Sequence, residues 1–175
     1  YSISPRLGGW SALENLKNRC TQRGIRLASD MVPNHTGLDS DWMYNHPEYF
    51  IQQDYPPFPS YSYTGENLSA NPNVEIKIED HYFDKTDAAV TFMKYDKTTG
   101  KTSYIFHGND GTTMPWNDTA QLDFLNPQTR EAVIQQIIEV ARSFPIIRFD
   151  AAMTLAKRHI QRLWYPKPGT GGDIA

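Results

Sequence analysis

Two short apolar segments of this chain carry charged side chains near their ends. The segment 25–32 (Ile-Arg-Leu-Ala-Ser-Asp-Met-Val) includes Asp30, and the segment 146–150 (Ile-Ile-Arg-Phe-Asp) ends with Arg148 and Asp150. Apolar runs of this kind are typical of strands buried in a parallel sheet, and side chains at the carboxyl ends of such strands meet at one edge. An ionised carboxylate held there could act as a nucleophile.

The spacing of these residues predicts how they interact. Arg148 lies two residues before Asp150, so both side chains point to the same side of the strand, and the guanidinium can hold the carboxylate ionised and oriented. Asp30 on the neighbouring strand is expected to pair with Arg148 in a buried contact that supports the site. Asn34 and His35 follow Pro33 and are expected to converge on the same edge.

Three segments resemble the α-amylase family of glycoside hydrolases. Residues 30–35 read Asp-Met-Val-Pro-Asn-His, similar to the family's D-x-x-x-N-H at the end of the third barrel strand. Residues 148–151 read Arg-Phe-Asp-Ala, similar to R-x-D-A on the fourth strand, and 121–127 read Gln-Leu-Asp-Phe-Leu-Asn-Pro, similar to the segment where the family's inserted domain returns to the barrel. The motifs occur in the family's order, which makes the combination specific.

The resemblance implies an α/β fold that is a portion of a (β/α)8 TIM barrel with an irregular, β-rich subdomain inserted after the third strand. We expect barrel residues at 1–36, the subdomain at 37–120, and barrel residues again at 121–175. A complete barrel usually needs ~250 residues, so we expect a fragment whose partner is the remaining half of the barrel. The family's general acid and second conserved Asp would lie in that half, and the fragment alone would be inactive.

The resemblance also implies roles for individual residues. Asp150 would be the nucleophile of a retaining glycosidase, Arg148 would tune it, and His35 would contact the sugar ring being cleaved. Asn34 and Asp123 would bind calcium, which prefers hard oxygen ligands. Both also suit hydrogen bonds in turns, and the sequence leaves these two roles open.

The chain departs from the family directly after Asp150. The family commonly continues R-x-D-A-x-K-H, whereas residues 152–154 here are Ala-Met-Thr. The expected Lys and His are therefore absent, which puts in doubt the sugar contact of that Lys and the metal-binding backbone associated with that His. Lys157 and His159 lie further along the chain, and these roles are not carried over to them.

Local signals predict the elements that position these residues. Ser11 with Glu14 predicts the start of a helix that Gly24 ends, and Asn126-Pro127 predicts a second helix leading into the segment 146–150. A third helix is expected from about Ala152.

Between the barrel segments, helical periodicity is lost. Segments 88–95 and 102–106 flank the turn cluster 96–100, which predicts an antiparallel hairpin. Aromatic residues of this region could stack on sugars, although burial in a small core explains most of them; they include Trp42, Tyr61, Tyr63 and Trp116.

Composition excludes some classes of partner. The net charge is −3 with 21% charged residues, so no basic excess favours nucleic acid, and no apolar run approaches a membrane span. The expected partner is an α-glucan oligosaccharide or polysaccharide. The compartment is left open.

Hydrolysis of starch or maltooligosaccharides is the default function, and three alternatives stay open. An α-glucan transglycosylase or isomerase would use the same nucleophile. A non-catalytic carbohydrate-binding protein on a degenerate barrel would not need it. A metal-dependent hydrolase would use Asp30, His35 and Asp150 as ligands.

Overall fold

The computed structural model describes residues 1–110 and 114–165. Its strands are β1 (Ala28–Met31), β2 (His35–Gly37), β3 (Gln52–Gln53), β4 (Val74–Ile78), β5 (Thr91–Asp96), β6 (Lys101–Phe106), β7 (Thr119–Gln121) and β8 (Ile146–Phe149). Its α-helices are α1 (Gly9–Thr21), α2 (Asp41–Asn45), α3 (Pro127–Ser143) and α4 (Lys157–Trp164), with 3-10 turns at Pro5–Leu7 and Pro47–Tyr49. Residues 166–175 of the expected barrel segment 121–175 lie outside the described residues.

Strands β1 and β8 pair in parallel, which confirms that the two apolar segments are neighbours. Their register places Asp30 opposite Arg148. Helix α3 packs against both strands. The strands are shorter than predicted, and the expectation that they are buried is wrong: Ile146 is 46% exposed and Phe149 is 48% exposed. The reason is that, within the described residues, each of these strands has a single partner.

Two of the helix predictions need correction. Helix α1 begins at Gly9 after a left-handed Gly8, and the Ser11 hydroxyl donates to the Gly8 carbonyl from within the helix, so Ser11 is not its N-cap. The last helix begins at Lys157 rather than near Ala152. The start of α3 is confirmed, because the Asn126 side chain accepts a hydrogen bond from the backbone N–H of Gln128 and caps the helix.

A four-stranded antiparallel sheet lies between β2 and β7 in sequence, with strand order β3-β6-β5-β4. The predicted hairpin is confirmed: β5 and β6 pair from Thr91↔Phe106 to Asp96↔Lys101. The Asp96 carboxylate accepts hydrogen bonds from the backbone N–H groups of Thr98 and Thr99, which closes the turn. Strands β2 and β7 form a separate antiparallel pair that places His35 opposite Gln121.

One apolar cluster joins the parallel strands, α3 and the antiparallel sheet. Met31 of β1 and Val133 of α3 belong to the same cluster as Ile76 and Phe92 of the sheet. Burial of each such side chain stabilises the fold by about 1.5–3 kcal/mol. The cluster therefore connects β1 and α3 to the antiparallel sheet.

No helix among residues 1–110 and 114–165 combines the length and the apolar character needed to cross a membrane.

Candidate active site

Arg148 lies between two carboxylates at the ends of the parallel strands. Its Nη1 is 3.2 Å from Asp30 Oδ1 and its Nη2 is 3.8 Å from Asp150 Oδ1. The pairing of Asp30 with Arg148 is confirmed, as is the approach of Arg148 to Asp150. The expected burial of the first pair is wrong, because the Arg148 side chain is 66% exposed and that of Asp30 is 60% exposed. Exposed ion pairs contribute little stability, so this pair chiefly orients its members.

Hydrogen bonds also fix the backbone of Asp150. Its N–H donates to the Met31 carbonyl at 2.9 Å, which extends the contact between β1 and β8 by one residue. The Ala151 N–H donates to Asp150 Oδ1 at 2.9 Å. Ala151 has φ of 50°, a left-handed conformation that costs a non-glycine residue about 1–2 kcal/mol. The chain thus turns sharply after Asp150, with the carboxylate tied to its own turn.

His35 lies near Asp150 and packs against an aromatic ring. Its ring centroid is 5.1 Å from that of Trp116, with 56° between the ring planes. Burial lowers the pKa of His35, and the charges of Asp118 and Asp150 oppose this effect by raising it. Because the charge of Asp150 contributes to the pKa of His35, these two residues lie within electrostatic range of each other.

Gly108 permits the close packing around His35. A Cβ atom at this position would lie 2.8 Å from Thr119 Oγ1, 3.0 Å from the Trp116 ring and 3.3 Å from His35 Cβ. Only glycine leaves room for these contacts. Sequence reasoning missed this residue, because a single glycine in a loop carries no signal of what will pack against it.

The hydrogen bonds of Asn34 and Asp123 do not fit calcium bound by this pair. Asn34 is fully buried, and its Oδ1 accepts from Thr154 Oγ1 at 3.0 Å. Gln121 Nε2 lies 3.2 Å from the same oxygen, so two protein donor groups already lie against it. Asp123 Oδ1 accepts from the Leu125 N–H at 2.9 Å. Asp123 therefore makes a turn hydrogen bond and Asn34 belongs to a buried hydrogen-bond network. Hydrogen bonding is the second role that the sequence leaves open for both residues.

Within residues 1–110 and 114–165, no group of three or more His, Cys, Asp or Glu side chains is arranged to hold a metal ion. Asp30, His35 and Asp150 therefore do not form the ligand cluster that a metal-dependent hydrolase would require.

A cavity of about 640 Å³ lies beside the site. Its walls include Tyr1, Met31, His35 and Trp42, but neither Arg148 nor Asp150. His35 therefore lines the cavity and is also within electrostatic range of Asp150.

The family model of the alpha-amylase catalytic domain matches residues 1–139 of this chain. The chain belongs to the α-amylase family. The matched region includes Asp30, Asn34, His35 and Asp123, and it ends before Arg148 and Asp150. No curated protein shows significant sequence similarity to the chain.

Solved structures of α-amylase-family enzymes have a similar fold. The trehalose-6-phosphate hydrolase of Bacillus licheniformis matches with a TM-score of 0.60 and 19% identity over 99% of this chain and 27% of its own length. A structure described as a family GH13_31 enzyme matches with a TM-score of 0.56 and 18% identity over 90% of this chain and 26% of its own. The chain thus spans about a quarter of each of these proteins.

The departure from the α-amylase motif after Asp150 has a structural counterpart. Thr154 stands where the family pattern commonly has His, and it is 3% exposed with its hydroxyl on Asn34. Sequence reasoning recorded the substitution but did not predict this contact. Asn34 and Thr154 are 120 residues apart, and no local pattern reports such a pairing.

Proposed function

We propose that this chain is the nucleophile-bearing part of a retaining glycoside hydrolase that acts on α-glucans such as starch and maltooligosaccharides. The observation that carries the proposal is the position of Arg148 between Asp30 and Asp150 at the ends of neighbouring parallel strands. A carboxylate fixed by an arginine and by its own turn suits attack on an anomeric carbon.

In the proposed reaction, an Asp150 oxygen forms a bond to the anomeric carbon as the bond to the leaving oxygen breaks. The leaving oxygen takes a proton from a general acid. The deprotonated acid then takes a proton from a water molecule as the water oxygen attacks the anomeric carbon, and the glycosyl bond to Asp150 breaks with net retention of configuration. Arg148 orients the Asp150 carboxylate for the first step, and Asp30 holds Arg148.

The general acid is assigned to no described residue. In a retaining enzyme its carboxyl group lies about 5–5.5 Å from the nucleophile. Asp30 is near, but it is committed to Arg148 at 3.2 Å. We assign the acid to the remaining half of the barrel, and we expect the 175-residue chain alone to be inactive.

His35 is proposed to donate a hydrogen bond to a hydroxyl of the sugar bound at Asp150. Trp116 packs against the ring of His35, so its proposed role is to support His35 rather than to stack on the substrate. Residues 37–120 are proposed to form the inserted subdomain, which would border the substrate cleft on the His35 side.

The test compares turnover of maltooligosaccharides by the full-length protein and its Asp150→Asn variant. Asp54→Asn is the matched control, because Asp54 is an exposed carboxylate that directly follows β3 and pairs with Lys101. We expect Asp150→Asn to abolish turnover while glucan binding persists, and Asp54→Asn to retain activity. Unchanged turnover in Asp150→Asn would overturn the assignment.

The same assay separates the alternatives. Transfer of glucosyl units to added sugars, rather than to water, would identify a transglycosylase, and rearranged products without net cleavage would identify an isomerase. Affinity for glucans without turnover in the unaltered protein would indicate the carbohydrate-binding role. Because a fold neighbour is a trehalose-6-phosphate hydrolase, that disaccharide phosphate belongs in the substrate panel.

A further inference from the structure

Three buried polar side chains meet next to His35. Asn34 follows β1, Gln121 ends β7, and Thr154 lies after β8; none of them is more than 3% exposed. Asn34 Nδ2 donates to Gln121 Oε1 at 3.1 Å, and the Thr154 hydroxyl donates to Asn34 Oδ1 at 3.0 Å. Side chains from three distant parts of the chain thus form one hydrogen-bonded network.

Backbone carbonyls fix the orientation of both amides in this network. Gln121 Nε2 lies 3.0 Å from the Asn34 carbonyl oxygen and 3.1 Å from that of Leu122. Since carbonyl oxygens only accept hydrogen bonds, the nitrogen of the Gln121 amide must face them and its oxygen must face Asn34. The Asn34 atom that meets Gln121 Oε1 is therefore its NH2 group, and its oxygen accepts from Thr154.

This orientation leaves one hydrogen of Asn34 Nδ2 for His35. Nδ2 lies 3.4 Å from His35 Nδ1, a long distance for a hydrogen bond. An NH2 group can only donate, so a hydrogen bond between these two nitrogens requires Nδ1 of His35 to be the unprotonated acceptor.

We propose that Gln121 and Thr154, acting through Asn34, hold the His35 imidazole as the neutral tautomer with its proton on Nε2. The functional part of this inference rests on the proposed function: Nε2–H is then the donor that His35 offers to a sugar hydroxyl. Asn34, Gln121 and Thr154 act as positioning residues, since the tautomer of a histidine is set by the hydrogen bond that its other nitrogen makes.

The first experiment locates the proton directly. A long-range ¹H–¹⁵N NMR spectrum of the ¹⁵N-labelled full-length protein is recorded at pH 8, where an ordinary imidazole with a pKa of ~6.5 is neutral. His35→Gln assigns the His35 signals by their loss. We expect the shift of an unprotonated nitrogen at Nδ1 and of a protonated nitrogen at Nε2. A proton on Nδ1 of the unaltered protein overturns the proposal.

Two sets of variants test the network. Asn34→Asp replaces the donor facing His35 Nδ1 with an oxygen, so the proton should move to Nδ1. Because this change also buries a carboxylate, Thr154→Val and Thr154→Ser serve as a second test. Loss of the hydroxyl in Thr154→Val should give a mixture of the two tautomers, and Thr154→Ser, which keeps the hydroxyl, should retain the Nε2–H form. A tautomer unchanged in both Asn34→Asp and Thr154→Val overturns the proposal.

Kinetics of the same variants separate this inference from the proposed function. Thr154→Val should raise KM by about 2- to 10-fold with a smaller effect on kcat, the range expected for weakening one hydrogen bond, and Thr154→Ser should restore it. If the tautomer changes as expected while KM does not, the network stands and the proposed contact of His35 with substrate fails.

Discussion

His107 is a buried histidine whose protonation should destabilise the fold in mild acid. It is 1% exposed, and its Nδ1 donates to the Thr119 carbonyl at 3.0 Å. Its Nε2 lacks a hydrogen-bond partner in the part of the chain that the structure describes. A second proton would have to enter at Nε2, on an imidazole ring that packs against Phe92 and Tyr82.

The size of the effect follows from the pKa. Burial lowers the pKa of His107 from 6.5 to about 4. Above pH 6.5 both the folded and unfolded states are neutral at this residue, so it contributes no pH dependence. As the pH falls from 6.5 to 4, the unfolded state binds a proton that the folded state does not, and stability is lost. With 1.36 kcal/mol for each unit of pKa difference, the loss reaches about 3 kcal/mol near pH 4.

The assay is urea denaturation of the full-length protein at pH 7 and pH 4, compared with His107→Asn. The asparagine amide nitrogen can donate to the Thr119 carbonyl but does not titrate. The stability that the variant loses through poorer packing is therefore the same at both values of pH. The stability lost between pH 7 and pH 4 should be about 3 kcal/mol smaller in the variant.

Other titrating groups do not confuse this comparison, because they are shared by both proteins. The pKa of His35 is lowered by burial, and the pKa of Asp96 is lowered by its hydrogen bonds to Thr98 and Thr99. Both residues therefore decrease the stability of the fold as the pH falls. His81 has a raised pKa and acts in the opposite direction. An equal loss of stability in His107→Asn and the unaltered protein would refute the reasoning.

Three further outcomes are expected. Gly108→Ala should destabilise the fold by about 1–3 kcal/mol in urea denaturation through overpacking. Gly65→Ala is the control, since there is open space around the added methyl group, and it should change stability by less than about 1 kcal/mol. Similar effects of the two changes would contradict the packing around Trp116. Calcium should not raise the melting temperature over that in a chelator, because the Thr154 hydroxyl and the Gln121 NH2 group already lie against Asn34 Oδ1. Stabilisation of about 2.7 kcal/mol, expected at 100 times a site's dissociation constant, would restore the calcium site. The 175-residue chain alone should aggregate, since in the described part of the chain β1 and β8 have exposed residues and each pairs along one edge only. A cooperative transition of a monodisperse sample would show that it folds unaided.

The sequence predicts the carboxylate edge well because the relevant information is local. Apolar runs with charged ends identify β1 and β8, and the two-residue spacing of Arg148 and Asp150 places them on one side of a strand. The cap at Asn126 and the turn closed by Asp96 are likewise encoded within a few residues.

Other features depend on contacts between distant residues and could not be predicted. The exposure of β1 and β8 depends on which strands lie beside them, and the sequence of a strand does not report that. The hydrogen bond between Thr154 and Asn34 spans 120 positions. Gly108 is required by its close contacts with Trp116 and His35, and His35 is distant from it in sequence. The start of α4 at Lys157 reflects the turn that begins at Ala151, where the left-handed backbone delays the helix.

Arg148 contacts Asp30 more closely than Asp150, at 3.2 Å against 3.8 Å. In the proposed reaction Asp150 would become a glycosyl ester and lose its negative charge, so Arg148 would lose one of the two anions that flank it. Asp30 would then be the remaining carboxylate paired with the guanidinium. The proposed mechanism thus gives Asp30 two successive roles: it would orient Arg148 before attack, and in the intermediate it would keep that cation in place for the carboxylate that hydrolysis releases.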